Sequence, residues 1–282
     1  MPELPEVETM RRGVLGVVGA RILDVARVAC RRRPIAITPR IDRFRRRVVG
    51  RTIGEIGRAG KRVVVRLDSG DSIVLEPRMT GLILVTDPPS REHLRFRCTL
   101  AGAGKSTREL LYWDRRGLGS VRLFSPKEFE SAFGPAKLGP DALAMTAELF
   151  RSQLGGSRRA VKVALLDQRA VAGIGNLYAS EILHLARVHP ACRCDRLKRD
   201  QWQRIADATH AVLDAAIRHE GSTLGDGTYR NALNQEGGYQ NHHRVYDRAG
   251  QRCPRCADGR QIVRIVQAQR STFYCPTCQR KT

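Results

Sequence analysis

The sequence lacks several features, and each absence narrows what the protein can do. No run of about 18 apolar residues occurs in its 282 positions, so no helix is expected to span a bilayer. The opening MPELPEVETM has neither the basic start and apolar core of a secretory signal nor the acid-poor, Arg-rich character of a transit peptide. No internal repeat or low-complexity block stands out, which sets aside a repeat array. Acidic residues are scarce. Against 28 Asp and Glu stand 50 Lys and Arg, a formal charge of +22 that points to a polyanionic partner. Membrane surfaces also attract basic proteins, but these arginines lie along the whole chain and not on one amphipathic helix. Lysine is rarer still. Only 7 of the 50 basic residues are Lys, which makes each Lys more informative than any one Arg.

Eight cysteines are present, in two groups. Cys30, Cys98, Cys192 and Cys194 are scattered and read as reduced thiols. The others form CPRC at 253–256 and CPTC at 275–278, with 18 residues between them. Two such knuckles are a zinc-ribbon signal, with a pair of disulfides as the alternative. Cys253, Cys256, Cys275 and Cys278 would complete a tetrahedral site, and four thiolates leave no open position for catalysis. The intervening QIVRIVQAQRSTFY alternates as a β-hairpin would.

The rest of the chain has two unlike halves. Pro5, the acidic Glu6 and Glu8, and the spacing of Val7, Met10, Val14 and Leu15 predict a helix over residues 5–18. From 20 to 125 the pattern is mostly strands, including KRVVVRLDSGDSIVLEP and HLRFRCTL, with DSGD and the AGAGKS stretch as hairpin turns. Beyond 140 it is helical, with candidates at 146–154, 157–167, 176–188 and 201–219. A linker is expected at 131–140. The polar, Gly-rich residues 221–244 read as a long mobile loop of the kind that is often functional.

AGAGKST at 101–107 imitates a phosphate-binding loop, but position 99 is Thr where the motif needs Gly, and a strand follows. GIGN at 173–176 is different. Its glycines permit a sharp turn, and Asn176 then opens a helix whose N-terminus can hold a phosphate, although a capped helix alone would explain the same residues.

MPELPEVET at the start, Lys61 in RAGKRVVV, MTG at 79–81, DRRGLG at 114–119, GIGNLYASE at 173–181 and a four-cysteine finger containing QRSTFYCPTC occur in one order. Together they resemble the bacterial formamidopyrimidine-DNA glycosylase/endonuclease VIII family, in its formamidopyrimidine branch. The resemblance runs from the first residue nearly to the last. It implies an α+β fold of two domains, a β-sandwich with a leading helix and then a helix–two-turn–helix domain with a zinc finger, and DNA in the cleft between them. The expected boundaries are 1–134 for the catalytic sandwich, 135–244 for the helical domain with a lesion-capping loop at 221–244, and 245–282 for the finger.

The resemblance also implies a bifunctional DNA glycosylase and abasic-site lyase in base-excision repair. Removal of Met1 would leave Pro2 with a free secondary amine as nucleophile, Glu3 as general acid/base and Glu6 in support. Lys61, Asn176 and Arg270 match phosphate contacts, and His93 matches a histidine that touches DNA. Met79, Arg116 and Leu118 match the residues that enter the duplex where the damaged base leaves. Taken singly, Lys61 could be a solvated strand-edge charge, Met79 a core residue and Arg270 one more surface arginine. One structural zinc, duplex DNA with oxidised bases or abasic sites as partner, a monomer and a bacterial cytoplasmic location are expected. Four positions depart from the family pattern. Glu76 stands where a His is usual, and in DRRGLG Arg115, Gly117 and Leu118 stand where a Pro, an Arg and a Phe are usual. Rival readings are an enzyme for oxidised pyrimidines, a non-catalytic damaged-DNA-binding protein and a basic zinc ribbon of the ribosome.

Overall fold

The computed structural model describes residues 2–102, 106–225, 227–256 and 259–281. The Lys of the AGAGKST decoy and the initiator Met therefore lie outside the described residues. The chain divides into two compact units. One runs to Gly134 and takes in His219–Gln240, and the other comprises Pro135–Arg218 and the chain from Asn241 onward.

In the first unit, helix α1 (Leu4–Gly13) forms where the sequence placed it but stops short. It ends at Gly13, and a 3-10 turn at Leu15–Val17 carries the chain on. Leu4, Val7 and Met10, at helical spacing, are fully buried, while Arg11 and Arg12 sit at the negative end of the dipole. The strands are β1 (Ile22–Arg27), β2 (Ala36–Thr38), β3 (Ile53–Arg58), β4 (Val63–Leu67), β5 (Ser72–Glu76), β6 (Gly81–Leu84), β7 (Leu94–Ala101), β8 (Thr107–Asp114) and β9 (Ser120–Phe124). They make one sheet in the order β1-β7-β8-β6 and another in the order β2-β9-β5-β4-β3. Val65, Ile73 and Val121 from the larger sheet and Leu82, Phe96 and Tyr112 from the smaller share one core with α1, so the expected β-sandwich is present.

One helix interrupts the stretch that reads as strands, and a second follows it. Helix α2 (Ile41–Val48) has the sequence IDRFRRRV, too short and too basic to signal a helix by composition. Its apolar residues Ile41, Phe44 and Val48 fall three and then four apart. Phe44 and Val48 are fully buried, and the Phe44 ring lies 5.7 Å from that of Phe96. The arginines turn outward, where Arg45 pairs with Asp24 at 2.7 Å and Arg47 with Asp71 at 2.9 Å. Helix α3 (Pro126–Phe133) begins at a capping box of Ser125 and Glu128 and overlaps the start of the expected linker.

The loop that the sequence assigns to the helical domain belongs, as far as Gln240, to the first unit. Hydrogen bonds of its own run through the described residues. Thr223 Oγ1 donates to the Tyr229 carbonyl and accepts from Gly237 N–H, and the Asn231 side chain accepts from Leu233 and Gln235 N–H while donating to Glu220.

The second unit carries α4 (Ala147–Leu154), α5 (Val161–Leu165), α6 (Asn176–Ala186) and α7 (Arg199–Arg218). The helix expected over 157–167 contracts to five residues. The segment before it is drawn into pairing with 192–195 instead, through an Ala160–Arg193 bridge and a 2.7 Å bond from Val161 N–H to the Cys192 carbonyl. The hairpin β10 (Val263–Gln267) and β11 (Arg270–Tyr274) forms between the cysteine pairs as predicted, turning through Ala268 and Gln269, both at positive φ. No helix among the described residues is long and apolar enough to cross a membrane.

Candidate functional site

In the first unit the N-terminal residues are buried despite their polarity. Glu3 is 4 % exposed and Glu6 3 %. A buried carboxylate must find donors, and Glu6 finds two on different segments. Its Oε2 accepts from Glu3 N–H at 2.8 Å, and its Oε1 accepts from Ser222 N–H at 2.9 Å. Glu6 thus ties Glu3 to the loop at 221–244. The Tyr229 hydroxyl supports the same junction by donating to the Glu220 carbonyl at 2.9 Å. Gly221 can sit here only without a side chain. Its φ is +79°, and a Cβ would lie 2.9 Å from Cγ and Oε1 of Glu6.

Lys61 lies half-buried on the turn between β3 and β4. That turn is anchored from α1. The Arg58 guanidinium bonds the Gly60 carbonyl at 3.1 Å and Glu8 at 3.1 Å. Burial by itself would raise the Glu8 pKa, but hydrogen bonds from Arg11, Arg12 and Arg58 hold it down at about 2.

Met79, Arg116 and Leu118 sit on two neighbouring turns, one before β6 and one after β8. Met79 is 36 % exposed, and Arg116 is also exposed. Thr80 and Asp114, buried between them, were not singled out from the sequence. His93 packs edge-on to Trp113, with ring centroids 5.4 Å apart, just ahead of β7. Glu76 is surrounded by donors. Arg62 reaches it at 2.9 Å, Arg122 and the Ser120 hydroxyl at 3.4 Å, and Arg78 at 3.6 Å.

In the second unit, Asn176 opens α6 directly after the Gly173–Gly175 turn. Its amide is fixed by the finger hairpin and by a lysine. Nδ2 donates to the Ser271 carbonyl at 3.0 Å, and Oδ1 accepts from Lys162 Nζ at 2.5 Å. Lys162 is fully buried and also donates to the Ser271 carbonyl at 3.1 Å and to Thr272 Oγ1 at 2.8 Å. This brings Asn176 to the first residues of β11, next to the exposed Arg270. Lys162 was missed in the sequence, although the scarcity of lysine was a signal that could have found it.

The four cysteines converge as predicted. Their sulfurs all lie within 4.8 Å of one another, with Cys256 3.3 Å from Cys278 and 3.6 Å from Cys275. Four thiolates at about 2.3 Å from a tetrahedral zinc would be roughly 3.8 Å apart, so the group fits one structural zinc. The cysteines are free, not disulfide-bonded. Around them the sequence left two residues unread. His184 Nε2 lies 3.4 Å from Cys253 Sγ, and burial, with Arg255 and Arg244 nearby, pushes its pKa down to about 4. A neutral imidazole can donate to that sulfur. Gln279, fully buried, accepts from Cys275 N–H and donates to the Val188 carbonyl, both at 2.9 Å. Glu181 is structural. Its buried carboxylate accepts the N–H groups of Arg244, Val245 and Tyr246, which lead into the finger.

Sequence models of known families match three successive parts of the chain. These are the formamidopyrimidine-DNA glycosylase N-terminal domain over residues 1–121, the H2TH domain of the same proteins over 138–227, and a zinc finger found in FPG and IleRS over 250–280. The chain is 38% identical over 285 residues to a formamidopyrimidine-DNA glycosylase of Chloroflexus aurantiacus, covering 99% of this chain and 98% of that one. With the Streptococcus thermophilus protein of the same name, identity is 37% and all of both chains is covered. Among solved structures, Lactococcus lactis Fpg in complex with DNA containing an abasic site is similar, with a TM-score of 0.85, 30% identity and coverage of 99% of this chain and 100% of that one. The MutM (Fpg) protein of Thermus thermophilus gives a TM-score of 0.84 and 34% identity, with both chains covered in full. This chain belongs to the formamidopyrimidine-DNA glycosylase family.

Proposed function

We propose that the protein is a bifunctional DNA glycosylase and abasic-site lyase that removes oxidised purines, such as 8-oxoguanine and formamidopyrimidines, in base-excision repair. The observation that carries this reading is the Glu6 carboxylate, which accepts from Glu3 N–H on one side and from Ser222 N–H on the other. A protein that only bound DNA would have no need to bury two carboxylates beside its second residue and fasten a loop to one of them.

With Met1 removed, the Pro2 nitrogen is a secondary amine. α-Amino groups titrate near 7.7–8.0, so a useful neutral fraction exists at physiological pH. The amine attacks C1′ of the damaged nucleotide, the bond to the base breaks, and the base leaves with a proton. Glu3 protonates the ring oxygen as the sugar opens, and a Schiff base forms between C1′ and Pro2. Loss of the C2′ proton expels the 3′ phosphate. A second elimination expels the 5′ phosphate. Lys61 in the first unit and Asn176 and Arg270 in the second hold backbone phosphates, with Lys162 fixing the Asn176 amide. Met79, Arg116 and Leu118 fill the gap left by the extruded base, and His93 contacts DNA at the same strand end. The zinc holds the finger and supplies no chemistry to the reaction. The protein acts as a monomer in the bacterial cytoplasm.

Borohydride reduction during incubation with duplexes bearing 8-oxoguanine, thymine glycol or an abasic site tests this reading. A covalent adduct on Pro2, formed fastest with 8-oxoguanine among the two damaged bases, is expected. An uncleaved Met1 should abolish trapping. Preferred trapping of thymine glycol would move the enzyme to the oxidised-pyrimidine branch. No adduct with any duplex would leave a DNA-binding protein without lyase chemistry.

A further inference from the structure

The two turns that carry Met79 and Arg116 are built as one piece. Gly81 of β6 pairs with Asp114 of β8, so the turns start from adjacent positions of the same sheet. The Tyr112 hydroxyl, donating to the Glu76 carbonyl at 2.7 Å, fills the space between them. A Cβ on Gly81 would come within 2.6 Å of that hydroxyl, and one on Gly119 would overlap it. Both turns therefore close down on the same atom, and neither can carry a side chain at that point.

At the centre lie Thr80, 2 % exposed, and Asp114, fully buried. The Thr80 hydroxyl donates to Asp114 Oδ1 at 2.5 Å and accepts from Arg116 N–H at 3.0 Å. Asp114 Oδ1 takes a longer bond from Arg116 N–H, 3.2 Å, and Oδ2 accepts from Gly119 N–H at 2.8 Å. Buried Arg95 holds the turn from behind by donating to the Asp114 carbonyl at 2.8 Å. A hydroxyl offers one donor and two acceptor sites, and Thr80 uses both functions across the two turns. Its neighbour in sequence is Met79. The atom it grips on the far side is the backbone nitrogen of Arg116.

We propose that Thr80, held on Asp114, is a positioning residue that fixes Arg116 relative to Met79 and thereby sets the choice of base opposite the lesion. The proposal rests on the reading that these side chains enter the duplex. Arg distinguishes bases by bidentate geometry at their edges, and such a contact tolerates displacement of only about 0.5 Å. Thr80→Val keeps the shape of the side chain but removes both hydrogen bonds. Arg116 N–H then keeps only its longer bond to Asp114, and the turn is free to shift against Met79.

The test is single-turnover excision of 8-oxoguanine opposite cytosine and opposite adenine, with the ratio of the two rates as the readout. A general loosening of the fold lowers both rates together and leaves the ratio alone. Thr80→Val should reduce the ratio by about fivefold, roughly 1 kcal/mol, while Thr80→Ser, which retains the hydroxyl, should hold it within about twofold. Thr80→Ala carries the same expectation as the valine, so the test stands if one of them fails to fold, as judged by melting and zinc content. A normal ratio in the folded valine or alanine variant, with a collapsed ratio in Arg116→Ala, overturns the role of Thr80 and leaves the placement of Arg116 intact. An equal loss in the serine variant overturns it too, since retaining the hydroxyl would then not preserve the ratio. A normal ratio in Arg116→Ala removes the underlying reading and this proposal with it.

Discussion

The carboxylate of Glu6 accepts a hydrogen bond at 2.9 Å from the backbone N–H of Ser222, 216 positions further along the chain. Glu3, the third residue of the protein, and the loop that begins at Gly221 are therefore joined through one side chain, and α1 and that loop belong to the same unit.

Gly221→Ala should break this junction. The new Cβ would sit at a φ of +79° and meet Glu6 at 2.9 Å, and backbone strain of this kind costs about 1–3 kcal/mol. Excision of 8-oxoguanine should slow about tenfold or more, because the loop leaves its seat, whereas cleavage at a preformed abasic site, which needs no base capped, should fall much less. Parallel single-turnover assays on the two substrates measure the difference. Equal losses on both would mean that the junction serves the fold and not the lesion.

Glu3→Gln separates the two chemical steps. The amide cannot deliver a proton to the opening sugar, so base removal should drop by about 100-fold or more. An abasic site is already open to attack and should be cleaved far more nearly as in the parent. If the variant releases 8-oxoguanine at the ordinary rate, Glu3 is not the acid.

Lys162→Met replaces a fully buried amine that bonds Asn176, the Ser271 carbonyl and Thr272. Stranding these acceptors should cost about 1–3 kcal/mol each before relaxation. Denaturant unfolding should register the loss, and affinity for undamaged duplex should fall as the Asn176 amide loses its anchor, with zinc content unchanged. Ordinary duplex affinity in a folded variant would detach Asn176 from phosphate binding.

The finger separates structure from contact. Cys275→Ser should lose zinc and weaken all DNA binding, since a sulfur of the cluster is gone. Arg270→Ala should keep one zinc per chain and lower affinity for damaged and undamaged duplex alike, with the salt slope shallower by about one. Isothermal binding at several salt concentrations, with metal analysis, checks both variants.

Glu8 gives the protein an acid-labile element. Its pKa is about 2 in the fold, against 4.5 for the free group. The unfolded chain therefore takes up the proton first, and the stability that Glu8 confers is complete above pH 4.5 and drains away as the pH falls through about 2. Urea unfolding of the parent and of Glu8→Gln should differ by a constant amount above pH 4.5 and converge below it. A gap that persists unchanged at pH 2.5 would assign the effect to packing.

The zinc ligands were legible because their chemistry is local. A C-x-x-C knuckle sets two sulfurs on one turn whatever surrounds it, and alternating β-branched residues between two knuckles make a hairpin. The core faces of α1, α6 and α7 were likewise visible, as their period matches the helix. Helix α2 was not, because IDRFRRRV fully buries only Phe44 and Val48, and it forms by packing against Phe96 of a strand 52 positions later. The helix expected over 157–167 shortened for the converse reason, since pairing with 192–195 competes for its first residues.

The sequence by itself determined the family, the metal and the residue types available for catalysis, because each is carried by short motifs in fixed order. Only the tertiary structure decided which polar groups became buried partners. Thr80 and Asp114, Lys162 and Asn176, His184 and Cys253, and Glu6 and Ser222 are 34, 14, 69 and 216 positions apart. No periodicity relates residues at such separations. What joins them is the requirement that a polar group removed from water be matched by another, and the match is chosen by the packing of the elements that carry them.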